Sequence, residues 1–512
     1  MKLYKTAIGV LLMATVVSSC HTKPSVSLDA TQSALIPRPK VIKPVPNSFV
    51  IDHKTTIYTG ISDEVYAIGM ELQAYIKKEI GYELTVSQTT TLDKENSIHL
   101  ILLKGSSIDK PESYTIDSNE QAVFIQAVTP EGIYRGFQTF KQLLPLEAEE
   151  LLEWDGKVWA IPGVQIQDEP YYEYRGAMLD VARHFFTVKD VKRYIDLLAL
   201  YKINTLHLHL TDDQGWRIEI KSWPKLTEIG GSTAVGGGKG GFYSQEEYAE
   251  IIAYAAQKYI TIIPEIDMPG HTNAALASYP ELNCDGKATD LYTGMRVGFS
   301  SLCVDKEVTY VFIDDVIREL SALTLGDYIH LGGDESHATS KKDYNTFLQN
   351  VFPIVKKYEK KVMGWEDIES AKVDSSFILQ HWTSKEKADN AASQKARIVL
   401  SPAPHTYLDM KYNDSTKLGL TWAGAIDINK GYNWIPSNIL DVKYKNQIIG
   451  IEPPLWSETL TTIQDIEYMA FPRIIGHAAL GWNGKPADRD NYYYTLTKNL
   501  KRLDKKGVNY KR

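Results

Sequence analysis

The ten residues YIHLGGDESH, 328–337, decide how this chain is to be read. A short apolar run meets two glycines, and the glycines meet two acids, Asp334 and Glu335. Side chains alternate across an extended strand, so adjacent residues on a strand face opposite ways. For Asp334 and Glu335 to serve one site, the strand must have ended before them. Gly332 and Gly333 leave the backbone free to turn at that point. The stretch therefore reads as a strand that stops at a pair of carboxylates.

The same design recurs on either side of it. From about residue 172 the chain alternates strand, loop and helix. The strand candidates are YRGAMLDVA, INTLHLHLT, ITIIPEIDMP, YIHLGGDE, KKVMGWED, SFILQHW, ARIVLSP and IIGIEPPLW, eight in all. Between them, Thr187 can cap VKDVKRYIDLLALYK, whose Val191, Ile195 and Leu198 make one apolar stripe. SQEEYAEIIAYAAQKY opens with a capping box, Ser244 to Glu247. Eight strands alternating with helices imply an α/β fold, a (β/α)8 barrel, whose active site lies at the C-terminal ends of the strands.

That expectation has a direct check, because functional residue types should collect where each strand stops. After the first strand come Asp180, Arg183 and His184, and after the second His207, His209, Asp212 and Asp213. The third gives Glu265, Asp267 and His271, and the fourth Asp334 and Glu335. Trp365 and Trp382 end the fifth and sixth. Tyr407, Asp409 and Trp422 come after the seventh, and Trp456 and Glu458 after the eighth. Tryptophan rings, carboxylates and one arginine converging on a pocket suit a pyranose. Rings stack on its C–H faces, and charged groups make paired hydrogen bonds to its hydroxyls.

Upstream, ELTVSQ, SIHLILL, SYTIDS and AVFIQAV are short strand-like runs, and TPEGIYRGFQTFKQLLP reads as an amphipathic helix with prolines at both ends. They form a small α+β domain, with IPGVQIQDEP as its boundary. The chain thus divides into 1–19, a signal segment; 20–34, a polar tether; 35–168, the small domain; and 169–512, the barrel. Lys2 and Lys5 precede the apolar run AIGVLLMATVV, too short to span a bilayer and suited to a secretory signal. The adjoining SSC resembles a bacterial lipoprotein cleavage site, which would make Cys20 the lipidated first residue of an exported, membrane-anchored protein, at the periplasmic face or the cell surface. An exported compartment permits a disulfide between Cys284 and Cys303; their spacing leaves the pairing open.

Other signals carry less. The formal net charge of -8 gives no basic face for a nucleic-acid partner. GGGKGGFYS contains a literal GxGxxG, but in a barrel loop rather than between a first strand and its helix, so no nucleotide site is inferred. His207 and His209 share one face of a strand, as metal ligands can. A metal site of that kind needs further ligands at later strand ends, where tryptophan stands instead. The pair reads as histidines of the core or backing the pocket, with no metal.

The ordered set LDVARHFF, HLHLTDDQGWRIEI, PEIDMPGHTNAAL, HLGGDE, GWED, QHW, TYLDMKY and LWSE resembles family 20 glycoside hydrolases, the β-N-acetylhexosaminidases, over roughly residues 35–485. The resemblance implies an exo-acting, retaining hydrolase that removes terminal β-linked GlcNAc or GalNAc from glycans without a cofactor. It implies substrate-assisted catalysis, in which the sugar's own 2-acetamido oxygen attacks and an oxazolinium ion forms. Glu335 would be the general acid and base, Asp334 would hold the acetamido N–H, and Tyr407 would donate to the acetamido oxygen. Arg183 and Glu458 would bind hydroxyls, and Trp365, Trp382 and Trp456 would wall the pocket. Asp409 and Trp422 would complete its rim. Asp212 and His271, also assigned to substrate binding, resemble the family's supporting pair beside the acid. Three other readings stay open at this level: a conventional retaining glycosidase with Glu458 as nucleophile, a metal-dependent hydrolase, and a surface glycan-binding lipoprotein without activity.

Overall fold

All eight strand candidates from residue 172 onward are strands. In a computed structural model describing residues 28, 34–90, 95–104, 110–147, 149–150 and 157–512, they are Tyr174–Asp180, Thr205–His209, Thr261–Glu265, Tyr328–His330, Lys361–Trp365, Ile378–His381, Arg397–Leu400 and Ile448–Ile451. Each pairs in parallel with the next, and the eighth pairs back with the first, Gly450 opposite Tyr174, so the barrel closes. The first two strands are buried along their whole length. Helices outside and packed side chains inside leave a parallel barrel strand no wet face, which explains their near-continuous apolar character.

Local chemistry starts the helices where the sequence marks them. Thr187 caps Val188–Leu200 and Ser244 caps Gln245–Gln257, each in a complete capping box with Asp190 and Glu247 respectively. Val191, Ile195 and Leu198 are all buried. The alternation of strand and helix fails twice. After the fifth strand only a 3-10 turn, Glu366–Ala371, intervenes before the sixth. There the Glu366 carboxylate ties the two strands, accepting from the backbone N–H groups of Trp382 (3.1 Å), Thr383 (3.1 Å) and Ser384 (2.5 Å) and pairing with His381 Nδ1 at 2.6 Å. After the seventh strand, residues 401–447 form a long excursion with only short helices.

The small domain is a seven-stranded sheet in the order Val41–Pro44, Val164–Asp168, Tyr114–Ser118, Ala122–Ala127, Ser97–Leu102, Thr56–Tyr58, Thr85–Ser87. IPGVQIQDEP, read as a boundary, carries the strand Val164–Asp168, whose burial alternates with Gln165 and Gln167 outward. The helix Pro130–Leu143 is also more deeply set than an amphipathic reading allows. Arg135, Gln138, Thr139 and Gln142 are buried too, and Arg135 and Gln142 reach the barrel. Arg135 pairs with Glu112 at 2.8 Å and donates to Tyr259 O, and Gln142 donates to Leu200 O. Asp168 closes the junction. Its carboxylate takes Lys202 Nζ at 3.0 Å, the Tyr114 hydroxyl at 2.5 Å and the Trp482 indole N–H at 2.9 Å. Burial lowers the pKa of Lys202, and Asp168 opposes that shift. Such a buried pair is costly to break by removing one partner.

The signal segment, Cys20 and most of the 20–34 tether lie outside the described residues. Of the tether, the Leu28 N–H donates to Ser48 Oγ at 3.0 Å, and the Ala34 carbonyl accepts from Asn499 Nδ2 at 2.6 Å. Among the described residues no helix is long and apolar enough to cross a membrane.

Candidate active site

The fourth strand ends at His330, and the backbone turns at once. Gly332, Gly333 and Glu335 all have positive φ, 62°, 97° and 46°. The turn is crowded as well as left-handed: a Cβ on Gly332 would stand 1.9 Å from Asp267 Oδ1, and one on Gly333 2.5 Å from Ile368 Cγ2. Asp267 Oδ1 accepts the Gly333 N–H at 2.9 Å, and the Tyr344 hydroxyl donates to Gly333 O at 2.6 Å. A non-glycine residue at positive φ is uncommon, and Glu335 adopts it two residues after the braced Gly333. The result is two adjacent carboxylates at different depths. The Asp334 side chain is 11% exposed and that of Glu335 28%.

His271 sits between them, its Nε2 3.5 Å from Glu335 Oε2 and 3.8 Å from Asp334 Oδ2. Behind it runs a buried relay of charge. His271 Nδ1 faces Asp212 Oδ1 at 3.2 Å; Asp212 Oδ2 takes Arg183 Nη2 at 2.8 Å and His209 Nε2 at 2.7 Å. His209 Nδ1 meets Glu265 Oε2 at 2.5 Å, and Glu265 Oε1 accepts the Trp365 indole N–H at 2.9 Å. Both Asp212 oxygens are therefore taken by protein groups, and the residue is wholly buried. Asp212, read from the sequence as one of a supporting pair with His271, thus bridges Arg183, His209 and His271.

The electrostatics arise from burial. Desolvation pushes Asp334 up to about 7, with Glu335 and Glu265 adding to it and His271 opposing. Asp267 is raised well above the carboxylate range by burial and by Asp334. Burial alone would lower His271, but Asp212 and Asp267 outweigh it and hold the ring protonated well above the usual histidine range.

An aromatic wall faces this cluster. Trp365 and Trp456 lie 5.8 Å apart, Tyr407 and Trp456 6.4 Å, Tyr407 and Trp422 5.4 Å, and Trp382 and Trp422 6.2 Å between ring centroids. Trp365, Tyr407 and Trp456 are buried, Trp382 is half-buried with its N–H on Asp367 Oδ2, and Trp422 is 54% exposed. The Arg183 guanidinium stacks 4.8 Å from the Trp456 ring. Within the wall, Arg183 Nε, Asp334 Oδ1, both Asp409 carboxylate oxygens and Glu458 Oε2 are buried without a protein partner. Buried polar atoms are nearly always paired, so this concentration marks a polar ligand's place. Burial raises Glu458, with Arg183 opposing, and burial followed by Glu458 raises Asp409.

Sequence reasoning places Glu265, Asp267 and Asp180 at strand ends but gives them no role. Asp180 Oδ1 accepts the backbone N–H groups of Ala182 and Arg183, and Oδ2 that of Ser457, so it locks Arg183 against the Glu458 loop. In PEIDMPGH, Glu265 and Asp267 have the same parity, and that is the signal that both point inward. His207 lies between Glu452 (2.8 Å) and Glu265 (2.9 Å), and His330 Nδ1 is 3.0 Å from Glu265. Donor atoms of His207, Glu265 and His330 are close enough to hold a metal, yet each already faces a charged or hydrogen-bonding neighbour. Cys284 and Cys303, whose pairing the spacing leaves open, are bonded.

Comparison with known proteins bears on the whole arrangement. The model of the glycosyl hydrolase family 20 catalytic domain matches residues 172–485, and that of family 20 domain 2 matches 32–169. A β-N-acetylhexosaminidase of Cellulomonas fimi is 37% identical, covering 89% of this chain and 91% of its own. The structure of the GH20 β-N-acetylhexosaminidase of Streptomyces coelicolor A3(2) superposes with a TM-score of 0.88 at 44% identity, covering 96% of this chain and 99% of that one. A mutant Streptomyces plicatus β-hexosaminidase in complex with the product GlcNAc gives 0.88 at 45% identity, over 94% and 97%. Family models spanning both domains, and relatives aligned over nearly the full chain, establish that this chain belongs to glycosyl hydrolase family 20.

Proposed function

We propose that the chain is an exo-acting, retaining β-N-acetylhexosaminidase whose nucleophile is the substrate's own acetamide. The observation that carries this reading is the pairing of a deep, buried Asp334, its Oδ1 unpartnered, with a shallower Glu335 on one left-handed turn. A nucleophile and an acid must approach the anomeric carbon from opposite faces. Two neighbours on one turn suit another division of labour. Asp334 accepts the acetamido N–H, Tyr407 donates its O–H to the acetamido oxygen, and that oxygen closes on C1. The C1–O bond breaks as Glu335 protonates the departing oxygen. Glu335, now a carboxylate, takes a proton from the incoming water, which opens the oxazolinium ion and retains the configuration at C1.

The rest of the site supports the sugar. Arg183, Asp409 and Glu458 bind hydroxyls through their unpartnered atoms, and Trp365, Trp382, Trp456 and Trp422 enclose the ring and the acetamide methyl. Fixing the acetamide in attack geometry is the largest advantage, since intramolecular nucleophiles reach effective molarities of about 10⁵–10⁸ M. The rival reading makes Glu458 the nucleophile. Its neighbours are Arg183 and Asp409, and burial pushes its carboxyl up while Arg183 opposes. A thiazoline analogue of GlcNAc, which mimics the cyclised intermediate, separates the two. Strong competitive inhibition is expected against a chromogenic GlcNAc β-glycoside; an enzyme untouched by the analogue would require a protein nucleophile.

We also propose that the protein is exported and lipid-anchored through Cys20, and that its partner is a glycan ending in a β-linked N-acetylhexosamine. The support is the charged start, the short apolar run and the small residues before Cys20. Only seven residues lie between Cys20 and Leu28, where the chain meets the folded body. At about 3.5 Å per residue, the body would stand within roughly 30 Å of the bilayer surface. A Cys20→Ser variant should move from the membrane to the soluble fraction; unchanged membrane retention would refute the anchor.

A further inference from the structure

A cavity of about 330 Å³ opens at the seam between the small domain and the barrel, and none of its residues belongs to the active site. Helix Asp63–Ile80 supplies Glu71, Lys78 and Glu79. Helix Pro130–Leu143 supplies Tyr134, Gln138 and Lys141, spaced i, i+4 and i+7 on one face. The barrel adds Arg193, Asp196 and Lys258, and the end of the C-terminal helix Arg489–Lys505 adds Lys505 and Lys506. Lys78 and Lys141 lie in the last turns of their helices, and Lys258 and Lys506 are C-caps. A helix C-terminus favours a cation, and folding brings four such ends to one place.

The carboxylates present do not match these cations. Glu71 is shared between Lys141 at 3.3 Å and Lys258 at 2.9 Å, and Glu79 pairs with Lys505 at 2.9 Å. Asp196 accepts the Tyr254 hydroxyl at 2.7 Å, and Arg193 is held by Glu467, outside the cavity, at 2.8 Å. Lys78 and Lys506 make no ion pair among the described residues. Lys506 instead lies 5.9 Å from the Tyr75 ring, which Lys141 flanks at 5.4 Å. Burial lowers the Lys141 pKa to about 8; Lys258 and Lys506 add to the shift and Glu71 opposes it. Burial also lowers Lys506, with Lys78, Arg502 and Arg193 adding and Glu79 opposing. Gln138, in the same lining, is 1% exposed, and its Nε2 donates to no protein atom.

Buried cations short of counter-charge are costly, and a buried amide donor without an acceptor is rare. One kind of ligand answers both, an anion with several acceptor oxygens. A phosphate monoester offers three and carries about -1.5 to -2 charge near neutral pH, and lysine is a regular phosphate binder. We propose that this cavity binds a phosphate group, free or on a small monoester, through Gln138, Lys141 and Lys506, with Lys78 at the rim.

The site stands apart from the hexosaminidase reading and is tested without any assay of hydrolysis. Calorimetric titration of the full chain at pH 7 and fixed ionic strength would use inorganic phosphate in one arm and glucose 6-phosphate in the other. Saturable binding of one equivalent is expected. Tighter binding of inorganic phosphate would identify the free ion as the ligand, and tighter binding of the ester a phosphorylated sugar. Gln138→Leu, which keeps every charge, and Lys506→Met should each weaken binding about tenfold, the scale of a hydrogen bond to a charged group. Melting curves separate binding from folding. Without phosphate, Lys506→Met should melt no lower than wild type, because it relieves repulsion among the lysines; with phosphate, its melting temperature should rise less than that of wild type. No saturable binding in either arm, unchanged affinity in both variants, or an equal rise in melting temperature with sodium chloride in place of phosphate would overturn the site.

Discussion

A Glu335→Gln protein should turn over an unactivated GlcNAc glycoside about 10²- to 10⁴-fold more slowly than wild type, the contribution typical of a positioned general acid. The amide fills the same space and keeps a hydrogen bond, so KM should change little. What is lost is the proton. The loss should depend on the leaving group: an aryl or fluoride aglycone that departs without protonation should be cleaved much faster by the variant than an alkyl glycoside. The neighbourhood is prepared for that one residue. His271, kept protonated by Asp212 and Asp267, lies 3.5 Å from Glu335 and can steady the carboxylate once it has given up its proton. Equal rates for wild type and Glu335→Gln across leaving groups would remove Glu335 from the chemistry.

Asp334→Asn should retain sugar binding and lose about 10²- to 10³-fold in kcat, the scale for deleting one preorganised electrostatic contact to a developing charge. The carboxylate has two tasks, accepting the acetamido N–H and balancing the positive charge of the oxazolinium ion, and a neutral amide does neither well. The pH profile gives an independent readout. Burial pushes the Asp334 carboxyl up to about 7 in the free protein. The productive form is the carboxylate, so the Asp334 requirement is met above that pKa and is lost as pH drops through it. The acidic limb of kcat/KM, which reports the free enzyme, should therefore lie well above the ordinary aspartate value of about 3.9. In Asp334→Asn that limb should vanish. A limb that survives the substitution unchanged would belong to another group.

Much of the site was legible because a barrel sorts its residues by position. In a closed parallel barrel the strand ends converge on one mouth, so the residues just past each strand are the residues of the pocket. Arg183, Asp334, Glu335, Tyr407, Trp365 and Trp456 could be found that way with no knowledge of distances. The small domain was harder to read. Val164–Asp168 hides in a stretch punctuated by proline and glycine, and the helix Pro130–Leu143 has polar residues that look solvated until the barrel is packed against them.

By itself the sequence determined the fold class, the order of the eight strands, the helix starts at Thr187 and Ser244, and the residues that reach the barrel mouth. Periodicity and capping are local properties, written in neighbouring side chains. Only the tertiary structure decided what those residues do to one another. Asp212 turned out to be fully occupied by Arg183, His209 and His271, groups from three strand ends. The depth of Asp334 against Glu335 depends on a left-handed turn braced by Asp267 and Ile368. The Cys284–Cys303 bond, which the spacing left open, also needed the fold to be seen. Burial, and the charge shifts it causes, are set by atoms distant in sequence, and no window of residues contains them.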